Sequence, residues 1–211
     1  MRALRTACVA ASVIAAAAAL TGAATPASGT AAGAAAAGAA AEPKFLAAKD
    51  LPPHPTMSWK AGKVVKGLPE DGTFCLGRPA AGTWAAHRDF HTESDTSASQ
   101  LTVVASDATA ARTLAASLEK ALKNCAPEAV RDSPGSVGGW DDHGRIAVKD
   151  GAHVYAVFTS HPNSEPTVHA FGVGRSGSTV TVFHWGQMGH LEDVPVAAFK
   201  NTAKKAVNSL Y

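Results

Sequence analysis

The 211-residue sequence is poor in charged residues, which make up 17% of it, and no segment of it concentrates lysine and arginine. The chain has 19 basic and 17 acidic residues. Two of the basic residues, Arg2 and Arg5, lie at the amino end, so the rest of the chain is formally neutral. A protein that binds nucleic acid or an anionic membrane surface carries a basic patch or stripe. The composition therefore predicts no nucleic-acid partner.

The sequence also lacks an apolar run long enough to span a membrane. The apolar run at its amino end, Ala7 to Leu20, has about 14 residues, whereas a transmembrane helix needs about 20. Two arginines precede this run and small residues follow it at 21–24, which is the layout of a secretory signal peptide. We therefore expect residues 1–24 to be a signal peptide, with a permanent membrane anchor as the alternative. The mature protein is then secreted or extracytoplasmic, without a stable membrane anchor after cleavage, and associated with the cell wall in some settings.

Residues 25–42 lack the apolar side chains that a packed core requires. The segment consists almost wholly of Ala, Gly, Ser, Thr and Pro, and it buries too little apolar area to offset the entropy of ordering. We expect a disordered spacer; a polyalanine helix is the alternative, and Gly29, Gly33 and Gly38 interrupt it. Residues 43–211 have the ordinary length of one domain.

Cysteine is scarce, with three residues in the chain. Cys8 leaves with the expected signal peptide, so Cys75 and Cys125 remain. The close C-x-x-C spacing that is typical of zinc or redox sites is absent. In an oxidising compartment an isolated pair of cysteines forms a disulfide. We predict the bond Cys75–Cys125, with a zinc or redox pair as the alternative.

Two amphipathic segments predict helices. The first begins after Ser106 and Asp107, whose oxygens can accept hydrogen bonds from the first helical turn, and Pro127 is expected to end it. Its apolar stripe is Ala111, Leu114, Leu118, Leu122 and Cys125. The second helix is expected to begin near Pro195. Its stripe is Val196, Phe199, Ala203, Ala206 and Leu210.

Alternating or β-branched runs predict the strands of an antiparallel sheet. These runs lie at residues 56–65, 83–92, 98–105, 144–149, 153–159, 167–173 and 178–185. Glycine-rich residues 135–139 precede the fourth run and are expected to be irregular. The fold class is therefore α+β, an antiparallel sheet of about five to seven strands packed against two main helices, with one disulfide.

The order of these features resembles the PknH-like extracellular sensor domain over residues 44–211. The resemblance rests on FLAAKDLPP at the start, Trp59, a cysteine after a turn-rich loop, and the helical segment VVASDATAARTLAASLEKALKNC. It continues through EPTVHAFGVGRSGSTVTVFHWGQ and a helix that ends at Leu210. The resemblance implies an α+β sheet flanked by helices, with a cleft for an unidentified small ligand.

The chain departs from that family in two respects. The kinase-borne domain has two disulfides, whereas this chain can form one. The sequence also carries no kinase signature and no membrane span, which puts direct signalling across a membrane in doubt. The resemblance implies a free secreted member that binds a small molecule or a cell-wall component.

Histidine is abundant, with nine residues, and suggests a metal site. His153, His169 and His184 fall on three neighbouring predicted strands, where they would converge across one face. Scattered solvated histidines are the alternative, and it is the one we adopt, so we predict no metal and no cofactor.

A secreted hydrolase is the alternative function. A nucleophile elbow requires G-x-S-x-G between a strand and a helix, and residues 174–177 (GRSG) approach it in letters but join two strands. Residues 131–135 (RDSPG) are similar to a trypsin-like nucleophile loop, although Pro134 replaces a glycine. Without a recognisable catalytic group, we predict that the protein is not an enzyme.

Aromatic residues make up only 6% of the sequence, so a tryptophan beside polar groups is informative. Trp140 lies in an apparent loop among glycines and aspartates, and Trp185 and Gln187 lie where a strand ends. Aromatic rings beside amides and carboxylates suit a small ligand or a glycan. We predict that these three residues bind the ligand.

Overall fold

An eight-stranded antiparallel sheet forms the centre of the protein in a computed structural model that describes residues 41–80 and 82–211. The predicted signal peptide and nearly all of the predicted spacer lie outside the described residues. The strands are β1 (Lys60–Ala61), β2 (Val65–Lys66), β3 (Trp84–His91), β4 (Ser97–Val104), β5 (Val137–Ile146), β6 (Ala152–Ser160), β7 (Thr167–Ser176) and β8 (Thr179–Met188). Their order across the sheet is β1-β3-β4-β8-β7-β6-β5, and β2 also pairs with β3.

Two helices, α1 (Ala108–Val130) and α2 (Val196–Asn208), cover opposite faces of this sheet. Alternate residues of a strand point to opposite faces. In β6, Val154 and Ala156 pack in the core beneath α2, whereas Tyr155 and Val157 pack in the core beneath α1. The predicted α+β class is therefore confirmed, and the sheet has a buried core on each side.

Helix α1 begins as the sequence predicts and ends later. The Asp107 carboxylate accepts hydrogen bonds from the backbone N–H groups of Thr109 and Ala110, both at 2.8 Å. The expectation that Pro127 ends the helix is wrong, because the helix continues to Val130. A proline removes one intrahelical hydrogen bond, and here the fully buried Ala126 packs the last turns against the sheet.

Strand β5 begins earlier than the sequence predicts. It starts at Val137 and includes Gly138, Gly139 and Trp140, so the predicted irregular segment and the predicted loop position of Trp140 are both wrong. Glycine has low strand propensity, but the segment pairs with β6 from Val137 onwards. Gly138 also allows close packing against α1, because a Cβ atom there would lie 3.1 Å from the Ala126 carbonyl oxygen.

The strand count exceeds the expected five to seven because residues 56–65 do not form one long strand. That segment contributes to two strands of two residues each, β1 and β2. Both pair with β3, at Lys60 with His91 and at Val65 with His87. The short edge they form limits the exposed backbone at that side of the sheet.

The predicted disulfide Cys75–Cys125 is confirmed. It joins the irregular segment between β2 and β3 to the carboxyl-terminal half of α1, with the two Cα atoms 5.1 Å apart. Leu76, next to Cys75, is buried in the core beneath α1. The bond therefore fixes this segment over the α1 face of the sheet.

We expect the double variant Cys75→Ala/Cys125→Ala to lose about 4 kcal/mol of unfolding free energy, because the bond closes a loop of 50 residues in the unfolded chain. Urea unfolding of the variant and of the oxidised protein measures the difference. Adding reductant should destabilise the unmodified protein by a similar amount and leave the variant unchanged. Equal stability of the two oxidised proteins would contradict the prediction.

Helix α2 packs closely on β7 because two glycines of that strand face it. A Cβ atom at Gly172 would lie 2.7 Å from the Ala203 Cβ atom, and one at Gly174 would overlap the Cγ2 methyl group of Val207. Val207 is 1% exposed and β-branched, so its side chain cannot rotate to move the methyl group away. These positions set the distance between helix and sheet.

We expect Gly174→Ala to destabilise the protein by about 1–3 kcal/mol through overpacking. The same substitution should lower the free energy of unfolding by markedly less in a Val207→Ala background, because the overlapping methyl group is absent there. Thermal or denaturant unfolding of the two single variants and the double variant gives the coupling. Additive effects would show that the helix does not approach β7 at this position.

Candidate functional site

Two of the predicted site residues, Trp185 and Gln187, line one cavity of about 150 Å³ at the α2 side of the sheet. We call it the tryptophan pocket, because Trp59 lies in its wall as well. The polar groups are completed by Asp193 and His54, and four prolines form the rest of the lining: Pro52, Pro53, Pro55 and Pro195. Because proline has a fixed φ, this wall is stiff.

The sheet and the proline segment position the aromatic residues. Trp185 and Gln187 alternate along β8, so both point to the same face. Trp185 is 4% exposed and belongs to the core beneath α2. The indole nitrogen of Trp59 donates a hydrogen bond of 2.7 Å to the Pro52 carbonyl oxygen, which folds the proline segment against the ring. The Gln187 amide oxygen accepts from the Thr96 hydroxyl at 3.5 Å.

Asp193 is held in the pocket wall by the turn that follows β8. Its carboxylate accepts a hydrogen bond of 2.7 Å from the backbone N–H of His190. Gly189 has a φ of +140°, and a Cβ atom there would lie 2.6 Å from the Asp193 carboxylate. Only glycine fits both requirements, so this turn is built to bring the carboxylate close to the backbone.

A second cavity of about 470 Å³ adjoins the tryptophan pocket. The two share Pro53, His54 and Trp59, and the second is otherwise lined by residues that include Lys49, Met57 and Ser58. Residues 52–59 therefore separate the tryptophan pocket from the second cavity. A ligand larger than the tryptophan pocket has room to extend past Trp59.

The structure does not bring Trp140 to this pocket. Trp140 pairs with Val157 and points to the α1 face, opposite to Trp185 and Gln187. Its ring centroid lies 6.2 Å from that of Tyr155, and the Lys123 ammonium lies 5.7 Å from its centroid. The three predicted residues thus form two separate groups.

The three histidines predicted to converge share a face but not a site. His169 and His184 lie side by side, with Nδ1 and Nε2 3.0 Å apart. His153 pairs with Val173, four residues along β7 from His169. Among residues 41–80 and 82–211, no group of three or more histidine, cysteine or acidic side chains has the spacing of a metal site.

The half-buried His169–His184 pair lies among aromatic rings. The centroid of Phe74 lies 4.3 Å from that of His169, and that of Phe171 lies 4.7 Å from that of His184. Burial lowers the pKa of His169 to about 4. Burial, followed by the charge of His169, lowers the pKa of His184 to about 3. Both rings are therefore neutral at pH 7.

A polar network that the sequence did not reveal lies on the same face, around His153. Asp142 accepts from His153 Nε2 at 2.6 Å, and the Tyr155 hydroxyl lies 2.8 Å from His153 Nδ1 and donates to Glu119 at 3.0 Å. Burial opposes ionisation of Asp142, but hydrogen bonds from His153 and the Gly144 N–H lower its pKa. Burial and then the Glu119 carboxylate raise the pKa of Tyr155. The residues come from α1, β5 and β6, so no single sequence motif identifies the network.

One serine lies within hydrogen-bond reach of a histidine. Ser136 Oγ lies 2.8 Å from His161 Nδ1 and donates to Ser133 Oγ at 2.7 Å. Ser133 belongs to the RDSPG segment singled out from the sequence. Within the described residues, no carboxylate lies within 4.0 Å of a His161 nitrogen. The GRSG segment joins β7 to β8, as its sequence indicates.

The structure is that of an α+β domain whose sheet has a buried core on each face and a small hollow on the α2 side. Among solved structures, the chain is similar to the extracellular domain of PknH from Mycobacterium tuberculosis. That similarity covers 72% of this chain and 85% of that chain, at 11% identity and a TM-score of 0.46. No family model and no curated protein sequence matches the chain. Membership of the PknH-like family stays a prediction.

Within residues 41–80 and 82–211, neither helix combines the length and the apolarity that crossing a bilayer requires.

The histidine pair predicts acid sensitivity in a defined window. The unfolded state takes up protons below the ordinary pKa of 6.5, whereas the folded state does so only near pH 4 or below. Stability is therefore complete above pH 6.5 and falls as the pH drops toward 4. We expect a loss of about 2 kcal/mol per histidine between pH 7 and 4.5.

Denaturant unfolding of His169→Phe/His184→Phe across this range measures the effect. The variant should show a flatter pH dependence than the unmodified protein. The control is His91→Phe, at an exposed histidine of β3, which should keep the original slope. An unchanged slope in the double variant would contradict the assignment.

Proposed function

We propose that the protein is a non-catalytic ligand-binding domain of the sensor type that works outside the cytoplasm, with its ligand in the tryptophan pocket. The observation that carries this proposal is the convergence of Trp59, Trp185, Gln187 and Asp193 on one cavity. Residues 59 and 185 are far apart in the chain. The hydrogen bond to Pro52 holds Trp59 in place before any ligand arrives, and burial in the core beneath α2 holds Trp185.

The chemistry of the pocket suits a small hydroxylated ring, such as a sugar of the cell envelope. The half-buried Trp59 indole offers a flat apolar surface that packs against the C–H face of such a ring, and the buried Trp185 forms part of the pocket wall. The Gln187 amide and the Asp193 carboxylate can exchange hydrogen bonds with its hydroxyl groups. The adjoining cavity past Trp59 gives space for a second ring of an oligosaccharide.

Two features support a location outside the cytoplasm. The disulfide Cys75–Cys125 is stable in an oxidising compartment and uncommon in a reducing one. The amino-terminal sequence has the layout of a signal peptide. Both agree with a partner that is a small molecule or a cell-wall component.

A secreted hydrolase is the second candidate, and the contact between Ser136 and His161 favours it. Hydrolysis of activated esters by the exported protein, abolished by Ser136→Ala, would establish this activity. Absence of turnover in both proteins is the result we expect.

Calorimetric titration of the exported protein with neutral cell-wall sugars and peptidoglycan fragments tests the proposed binding function. We expect Gln187→Ala to weaken binding about three- to tenfold, the effect of one lost hydrogen bond. Trp59→Leu should weaken it further by removing an aromatic surface.

Trp140→Leu is the matched control, because it removes an indole from the opposite face of the sheet and should leave the affinity unchanged. Circular dichroism and melting temperature verify that each variant folds. If none of the sugars binds, or if Trp140→Leu weakens binding as much as Trp59→Leu does, the tryptophan pocket is not the site.

A further inference from the structure

A cavity of about 310 Å³ lies on the α1 face, separated by the sheet from the tryptophan pocket. We call it the arginine pocket, because Arg112, Arg145 and Arg175 all line it. The first comes from the amino-terminal half of α1, the second from the end of β5 and the third from the end of β7. No sequence motif links the three residues, and none of them belongs to the predicted site.

The hollow exists because the side chains at this point are small. On α1, the residues above the cavity are Ala115 and Ala116, between the longer side chains of Arg112 and Glu119. Below them, Gly151 contributes no side chain, and Gly174 lines the cavity with its backbone alone, because its side-chain position faces α2. Elsewhere on the same helix Leu118 and Leu122 fill the space to the sheet. The volume is at the lower end of the range for small-ligand sites.

One of the arginines is fixed by neighbouring groups. The Arg175 guanidinium lies 3.6 Å from the Asp150 carboxylate and donates to the Asp150 carbonyl oxygen at 3.4 Å. The same carboxylate accepts from the Gly177 N–H at 2.6 Å. The Arg175 side chain is 15% exposed, so it is held in a pocket wall and does not extend into solvent.

The other two arginines have no ion-pair partner within the described residues. No carboxylate of residues 41–80 and 82–211 lies within 4.0 Å of Arg112 or Arg145. The Glu119 carboxylate in the same cavity accepts from Tyr155 and lies 3.3 Å from His153. Both carboxylates of the lining are thus engaged within the protein, and two guanidinium groups remain for a ligand.

We propose that the arginine pocket is a second binding site, which takes a small organic oxyanion with a carboxylate or phosphate group. A guanidinium presents parallel N–H donors that match the two oxygens of such a group. Because the carboxylates of Asp150 and Glu119 also lie in the lining, the pocket has a small net positive charge, which suits one carboxylate or phosphate group with flanking hydroxyl groups. Arg112 and Arg145 are exposed, so salt screens this attraction and it is strongest at low ionic strength. The site is independent of the function proposed for the tryptophan pocket.

Calorimetric titration of the exported protein at low ionic strength, with succinate and with inorganic phosphate as probes, tests the assignment. Binding of succinate alone or of phosphate alone identifies the preferred oxyanion, and binding of both establishes the shared chemistry. We expect Arg112→Gln and Arg145→Gln each to weaken binding about ten- to a hundredfold. The Arg145→Lys variant, which keeps the charge but loses the fork of donors, should fall between Arg145→Gln and the unmodified protein.

Arg131→Gln is the matched control, because Arg131 is exposed just beyond α1 and outside the cavity. It should bind the probes like the unmodified protein, and so should Trp59→Leu. The proposal is overturned if neither probe binds, if Arg112→Gln and Arg145→Gln leave binding unchanged, or if Arg131→Gln weakens it equally. Failure of the sugar titrations would leave this result unaffected, since the two sites have different residues and probes.

Discussion

The antiparallel pairing of β4 with β8 joins the two halves of the chain, and the rest of the structure depends on it. Residues about 80 positions apart meet in register there, from Ser97 with Gly186 to Val104 with Thr179. This pairing adds the β1–β4 half to the β5–β8 half as one continuous sheet. It also sets the start of α1, because only three residues separate the end of β4 from the helix. The disulfide at Cys125 then fixes where α1 crosses the sheet.

The alternation of side chains along the strands explains why the protein has two dissimilar hollows. In β8 and its neighbours, one set of alternate residues reaches the α2 side, where Trp185 and Gln187 meet the proline segment. The other set reaches the α1 side, where charged residues surround a gap beneath two alanines. The sheet between them carries a buried core on each face. The aromatic and the cationic chemistry therefore cannot merge into one site.

Small residues decide where the two helices touch the sheet and where they do not. Gly172 and Gly174 let α2 approach β7 closely, so that Ala203 and Val207 of the helix pack directly on the strand. Ala115 and Ala116 have the opposite effect and leave a gap beneath α1. The larger Leu118 and Leu122 further along the helix set its distance from the sheet, and the alanine side chains are too short to fill that distance. Small residues therefore bring α2 into close contact with the sheet and leave a cavity between α1 and the sheet.

The sequence by itself determined the fold class, the two helices, most of the strands and the disulfide, because periodicity, capping residues and a single cysteine pair are local or countable signals. It also placed Trp185 and Gln187 at the end of one strand. It did not determine that Trp140 belongs to an edge strand, since pairing with β6 outweighs the low strand propensity of its glycines. Only the tertiary structure brought Trp59 to Trp185, and Arg112 to Arg145 and Arg175. Contacts between residues so distant in the chain follow from strand register and helix packing, and no periodic pattern in the sequence indicates them.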